Sequence, residues 1–170
     1  MDITHLILDD HHQQRRLFAI LEQIDPGDVP HLAAVWKRLP TFLEVHAETE
    51  EKIFYPALLR VGRKAGDKDG VDEETIDAIK DHNEIRDAGA AVAGKAVGSD
   101  EWIKAVAAAN KANSEHMGEE EREGLTDFRR QASLELRHDL AIAFAAYETA
   151  HVTGVKPVDK DPKAWVRDHG

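Results

Sequence analysis

His46-Ala47-Glu48-Thr49-Glu50 and His116-Met117-Gly118-Glu119-Glu120 repeat one pattern, His-x-x-x-Glu, each followed at once by a second glutamate, Glu51 and Glu121. On an α-helix an i, i+4 pair lies on one face, one turn apart and roughly 40° round the axis. A neutral imidazole and a carboxylate held that way can bind the same transition-metal centre. Two such pairs on two helices offer a site for two metals, with the carboxylates able to bridge them. Glu51 and Glu121 lie about 100° further round, so both are expected to be dispensable for metal binding.

The pattern has meaning only if the chain is helical and its helices face one another. Helical periodicity dominates the sequence and no alternating strand pattern appears. A first helix is expected from Ile3 to Gln23, broken by Asp25-Pro26-Gly27-Asp28-Val29-Pro30. A long second helix runs from about His31 to Arg60, with Pro56 near its end to kink or terminate it. Gly62 to Gly70 reads as a polar loop. A third helix starts near Asp72, with Glu73 and Glu74 in a first turn that suits acidic residues, and runs to about Ala96. Ser99 is the candidate N-cap of a fourth, about Asp100 to Arg130, weakened at Gly118 and Gly124. A fifth covers about Leu134 to His151. Short linkers make neighbours antiparallel. The fold class is all-α: an up-down-up-down four-helix bundle with an additional C-terminal helix. Residues 1–152 form the bundle domain, and 153–170, rich in Gly, Pro, Lys and Asp, a flexible or surface-draped tail.

An interior ligand must lie on an apolar stripe. In the second helix Val35, Leu39, Phe42, Leu43, His46, Glu50, Ile53 and Ala57 share one side. A histidine and a glutamate in such a stripe need a partner, because burying an unpartnered carboxylate is costly. Metal coordination is one solution; a hydrogen-bonded core His46 with Glu50 at the stripe edge is the other. In the fourth helix Val106, Ala109, Ala112, His116 and Glu120 form a comparable face. In the first, Ile3, Ile7, His11, Phe18 and Leu21 do so, which turns His12 about 100° outward. In the third, His82 sits among Ala78, Ile79, Ile85 and Gly89, where a lone histidine is usually a packed core residue. Each of the other three helices also offers an inward histidine near mid-length, and an up-down bundle brings mid-helix positions to one level. Glu148-Thr149-Ala150-His151 is a Glu-x-x-His; ferritin-like dinuclear sites need such a motif on each of two helices and two further glutamates.

Composition narrows the classes. A chain of 170 residues suffices for one domain with a full core. A net charge of −11 disfavours nucleic acid as a partner. The absence of cysteine removes disulfides, thiolate zinc sites, iron–sulfur clusters and thiol catalysis. There is no basic leader and no apolar run of membrane-spanning length, so neither membrane nor export is expected, and the expected location is the cytoplasm. No Ser/His/Asp arrangement, phosphate loop or dinucleotide fingerprint competes with the histidines.

Four helices supplying His, His-x-x-x-Glu, His and His-x-x-x-Glu in that order resemble the hemerythrin-like (HHE cation-binding) family, over about Ile7 to Leu134. Asp10-His11-His12-Gln13-Gln14-Arg15-Arg16-Leu17-Phe18 is similar to that family's opening helix, and His46 through Pro56 to its second-helix motif. The resemblance implies two iron ions, oxo- or hydroxo-bridged, with His11, His46, His82 and His116 as terminal ligands and Glu50 and Glu120 as bridging carboxylates. One departure bears on activity. Oxygen-carrying hemerythrins place two histidines four residues apart on the third helix, whereas His82 has Ala78 and Arg86 at those distances. Tyr55 is a further candidate donor, but an ideal helix points it away from His46, so it reaches the centre only if Pro56 distorts the turn.

A diiron centre short of one histidine favours peroxide chemistry over reversible oxygen carriage. The expected function is handling of hydrogen peroxide or dioxygen, with catalase-like disproportionation in oxidative-stress defence as the leading form. The alternative is reversible binding or sensing of dioxygen or nitric oxide, and a third class is a helical protein whose histidines are structural. No catalytic residue beyond the metal centre is assigned, no other cofactor is expected, and protein partners are left open.

Overall fold

In a computed structural model describing residues 1–170, the chain is a helical bundle without strands. Its helices are α1 (Ile3–Gln23), α2 (Val29–Thr49), α3 (Tyr55–Ala65), α4 (Lys68–Ala90), α5 (Asp100–Arg122), α6 (Gly124–Gln131), α7 (Leu134–Ala150) and α8 (Pro162–His169). A π-helical turn, Glu50–Phe54, joins α2 to α3 without a break. No helix is long and apolar enough to cross a membrane.

Local chemistry starts these helices where the caps lie. The carboxylate of Asp2 accepts from the backbone N–H of Thr4 at 3.0 Å, the hydroxyl of Ser99 from Trp102 and that of Ser133 from Leu136. Each satisfies one of the orphan donors of a first turn. Pro30 and Pro162 stand in the first turns of α2 and α8, where a missing N–H costs nothing.

Three expectations are corrected. The second helix is not one regular rod: α2, the π turn and α3 run on through Pro56 to Ala65. Pro56 has no N–H to give the carbonyl of Lys52, so the i→i+4 ladder cannot continue there. The backbone N–H of Tyr55 bonds instead to the carbonyl of Glu50, an i→i+5 bond. The polar loop from Gly62 to Gly70 shrinks to Gly66 and Asp67. Gly66, at φ +94°, ends α3 in the left-handed conformation that glycine adopts without strain. The charged residues around it are the solvent faces of α3 and α4, and Val71 packs where a side chain on Gly62 would sit. The fourth helix breaks at Glu123 into α5 and α6, and at the break Gly124 lies so close to Glu74 of α4 that a Cβ would come within 2.8 Å of its Oε1. The segment after Thr153, expected as a flexible or surface-draped tail, crosses the surface to α8, which packs on α4 with Trp165 and Val166 buried.

The apolar core is two clusters rather than one. The first gathers Ile3, Ile7, Phe54, Tyr55, Leu58, Ile79, Phe128, Phe144 and Trp165. The second gathers Leu17, Phe18, Leu32, Leu39, Ile85, Trp102 and Val106. Between them, at mid-length of the bundle, lies a buried polar layer containing His11, His46, Glu50, Glu51, His82, His116 and Glu120.

Candidate metal centre

The four helices of the bundle each send one imidazole into this layer, and the π turn and α5 send a carboxylate. Oε1 of Glu50 lies 2.9 Å from Nε2 of His46 and 3.9 Å from Nε2 of His11. Its Oε2 lies 3.3 Å from Nε2 of His82, which is 3.1 Å from Nε2 of His116. Glu50 thus stands between two groups of donors, His11 with His46 and His82 with His116; the ligand atoms of each group, Glu50 included, fall within 4.8 Å of one another. Oε2 of Glu120 lies 3.3 Å from Nε2 of His11. His12 is exposed, and His5, His31, His138, His151 and His169 lie outside this layer.

The outward nitrogens carry a second pattern. Nδ1 of His46 meets Asp10 at 3.1 Å, Nδ1 of His82 meets Glu51 at 2.8 Å, Nδ1 of His116 meets Asp81 at 3.5 Å, and Nδ1 of His11 meets Glu121 at 2.9 Å. The four links close a ring: α1 holds the histidine of α2, the π turn that leads on from α2 holds that of α4, α4 that of α5, and α5 that of α1. Each holding carboxylate neighbours a residue of the inner layer, in Asp10-His11, Glu50-Glu51, Asp81-His82 and Glu120-Glu121. A carboxylate at Nδ1 keeps the proton there and aims the Nε2 lone pair inward, the arrangement that raises a histidine's basicity toward a metal. Glu51 and Glu121, expected to be dispensable, thus each contact one of the inward histidines. Glu51 is buried and holds His82, and Glu121 holds His11 while paired with Arg15 at 2.7 Å. The repeated Asp-His and Glu-Glu dipeptides were the available signal for all four orienting residues. It could be read only once the helix order around the bundle was known.

Tyr55 enters by way of the π turn. In an α-helix residue i+5 lies about 140° round from residue i. The wider turn brings it back toward the same side. Its hydroxyl donates to Oε1 of Glu120 at 2.9 Å, and its ring lies 5.7 Å from that of His82. Burial, then the charges of Glu120 and Glu50, push the phenol well above its ordinary range, so the hydroxyl keeps its proton unless a cation sits beside it. At the position four residues on from His82, Arg86 turns away into ion pairs with Glu44 at 2.9 Å and Glu51 at 3.0 Å.

The donor set fits a pair of metal cations. Five buried polar atoms of this layer have no hydrogen-bond partner: Nε2 of His11, Nε2 of His46, both oxygens of Glu50 and Oε2 of Glu120. Buried polar atoms in proteins are almost always satisfied. Five orphans gathered around Glu50, four of them on the side of His11 and His46, are what cations would satisfy. Nitrogen and carboxylate oxygen suit iron, manganese or zinc. The electrostatics agree. Burial pushes the Glu50 carboxyl up, but His46 and His82 outweigh it and hold the group well below its ordinary range. Burial pulls His82 down, but the neighbouring carboxylates of Glu50 and Glu51 outweigh it and carry the ring up to about 9. The layer attracts positive charge, and metal binding must displace protons, so affinity falls as pH falls.

A small cavity of about 50 Å³ leads to this layer between α4 and α5, lined by Tyr55, Glu74, Asp77, Asp81, His116 and Glu120 among others. A third convergence of ligand types, Asp10, His46 and Glu148, lies on the far side of His46. It shares His46 through the nitrogen already held by Asp10, so it is part of the same network. Glu148 belongs to a Glu-x-x-His whose His151 stacks on Tyr147 instead.

Among curated proteins and solved structures no match is found. The family described as Hemerythrin HHE cation binding domain matches residues 2–126, nearly three-quarters of the chain, and spans all six inward donors. With that match, the two-sided donor layer and the helical bundle in agreement, the chain belongs to the hemerythrin HHE cation-binding family.

Proposed function

We propose that the layer holds two irons, with His11 and His46 on one, His82 and His116 on the other, and Glu50 and Glu120 between them, and that the protein disproportionates hydrogen peroxide. Bound there, an iron pair supplies two-electron chemistry: one peroxide takes two electrons and two protons and becomes two waters, and a second returns them and leaves as dioxygen. The chain's own residues do the rest. The acidic wall of the cavity, with Asp77, Asp81 and Glu119, repels anions and admits a small neutral molecule. Tyr55 lines the same cavity and holds a proton at its hydroxyl, 2.9 Å from Glu120, ready to pass to or from a bound molecule. The ring of outer carboxylates keeps every Nε2 aimed inward while charge at the centre changes.

The observation that carries this reading is Tyr55. The fold places a phenol in the donor layer, and the third bundle helix offers one histidine with Arg86 turned away. A phenol hydroxyl beside the centre can give and take the protons that each half of peroxide disproportionation requires. The test is direct. Purified protein should contain two irons per chain and release dioxygen from added peroxide. Tyr55→Phe should keep both irons and lose most of the turnover. If the reduced wild-type protein instead binds and releases dioxygen or nitric oxide through repeated gas cycles and consumes no peroxide above free iron, it is a carrier or sensor.

A further inference from the structure

Residues 153–170 lie beyond the stretch matched by the family, yet they reach the donor layer at two points. The first is Lys160. Its backbone N–H donates to Oδ1 of Asn83 at 3.1 Å, and Nδ2 of Asn83 donates back to its carbonyl at 2.8 Å. Asn83 follows His82 directly, so the segment is registered to the very turn of α4 that carries that histidine. With its backbone clipped there, the Lys160 ammonium falls on Glu48 at 2.8 Å and on Oε2 of Glu51. The other oxygen of Glu51 takes Nδ1 of His82 and the guanidinium of Arg86. The second point is Trp165 on α8, buried edge-on against the ring of Tyr55 with centroids 6.4 Å apart.

Glu51 differs from the other three orienting carboxylates. Asp10 lies beside another acid, Glu148; Asp81 is in the acidic cavity wall; Glu121 has one cation, Arg15. Glu51 alone is held by two cations, one of them from the tail. An ammonium packs no apolar surface, so this contact fixes a carboxylate rather than filling a core.

We infer that the C-terminal segment is a working part of the metal centre: Lys160 is a positioning residue that pins Glu51 onto His82, while Trp165 backs Tyr55 at the cavity. The inference rests on reading the layer as a dimetal site. Loss of the lysine charge frees one oxygen of Glu51 and loosens His82, so the metal held by His82 and His116 is released first, and the His11–His46 side is spared.

The experiment uses the full-length chain with Lys160→Met, which keeps the apolar stem, Lys160→Arg as the conservative rescue, and Lys52→Met as control. Lys52 also pairs with Glu48, at 3.1 Å, but is half exposed and does not touch Glu51. Iron release into excess chelator should become biphasic in Lys160→Met, with one of two irons leaving about tenfold faster, the low end of what loss of an orienting partner costs. The arginine variant and the Lys52 control should release iron as wild type does. In iron-free protein, imidazole ¹⁵N resonances should shift for His82 in Lys160→Met and stay in place for His46, a readout independent of loading. Unchanged His82 resonances and wild-type release of both irons would overturn the inference while leaving the dimetal reading intact. A wild-type protein that takes up no iron overturns the dimetal reading and the inference with it.

Discussion

The two His-x-x-x-Glu motifs are identical in spacing and unlike in structure. The second lies on regular α-helix: Glu120 faces in, and Glu121, one position round, is 27% exposed in its side chain and pairs with the surface residue Arg15. The first runs into the π turn. There Glu50 and Glu51 are both buried, the side chain of Glu51 only 1% exposed, and Tyr55 follows them inward. One inserted residue per turn makes a helix face wide enough for three functional side chains where α-helix allows one. The cause is a proline that cannot donate, since π turns appear where the i→i+4 ladder is interrupted. Equal motifs thus divide the work: the first supplies the residue shared by both donor groups, the second a carboxylate beside His11 and Tyr55.

The largest effect should come from the shared residue. Glu50 approaches three histidines and Glu120 one. Glu50→Ala should therefore lose both irons by elemental analysis, and Glu120→Ala fewer. The Glu50 variant should also lose the stabilisation that bound metal confers, about 4 kcal/mol if metal stands near a thousand times its dissociation constant. A Glu50→Ala protein that keeps one iron makes Glu50 a terminal ligand and the two motifs equivalent.

The following glutamates should differ next. Glu51→Ala takes one of two carboxylates from Arg86 and from Lys160 and leaves Nδ1 of buried His82 with none, and breaking a buried pair costs about 3 kcal/mol or more. Glu121→Ala leaves a partly exposed arginine and frees Nδ1 of His11, and should cost less, about 1–2 kcal/mol. Urea unfolding of the two variants measures the difference; equal losses would remove the distinction between π and α settings.

Pro56→Ala restores the missing donor and lets the α-helical ladder close. Tyr55 should then swing away from Glu120, and peroxide turnover should fall about tenfold, 1.4 kcal/mol in the barrier. Any phenolate-to-iron absorption should fade with it. A spectrum and rate like wild type would show that packing around Tyr55, not the proline, holds the π turn.

The smallest effect lies beside the second motif. Burial, then the charges of Asp127, Glu123 and Glu120, raise the Glu74 carboxyl from 4.5 to about 8. The folded chain holds a proton there that the unfolded chain releases at lower pH. Its contribution is full below pH 4.5 and is lost as pH rises through about 8. Glu74→Gln should be nearly neutral to stability at pH 4 and should stabilise the chain by about 1 kcal/mol at pH 9, since the group is only partly screened from water. Thermal melts at the two pH values read the sign; a variant less stable at pH 9 would place Glu74 as an anion with a cationic partner.

Much of this was readable along the chain because it is local. Helix faces follow from the 3.6-residue period, so the inward set of His11, His46, Glu50, His82, His116 and Glu120 needed only the apolar stripes of four helices and two equal spacings. The caps at Asp2, Ser99 and Ser133 set helix starts in the same local way. The carboxylate ring was invisible, although each member sits beside an inner-layer residue, since every link crosses from one helix to another. Whether Glu51 faces in or out depended on how the backbone accommodates Pro56, which spacing counted on an ideal helix cannot express. Lys160 looked like one more charge in a polar tail, and only the clip on Asn83 carries it to Glu51.

By itself, then, the sequence determined which residues each helix turns to the core, because a helix's own periodicity decides that. The tertiary structure decided which outer carboxylate holds which histidine, that a phenol and a second glutamate join the layer, and that the tail reaches it. Those depend on distances between elements far apart in the chain, set by packing around a proline-widened turn.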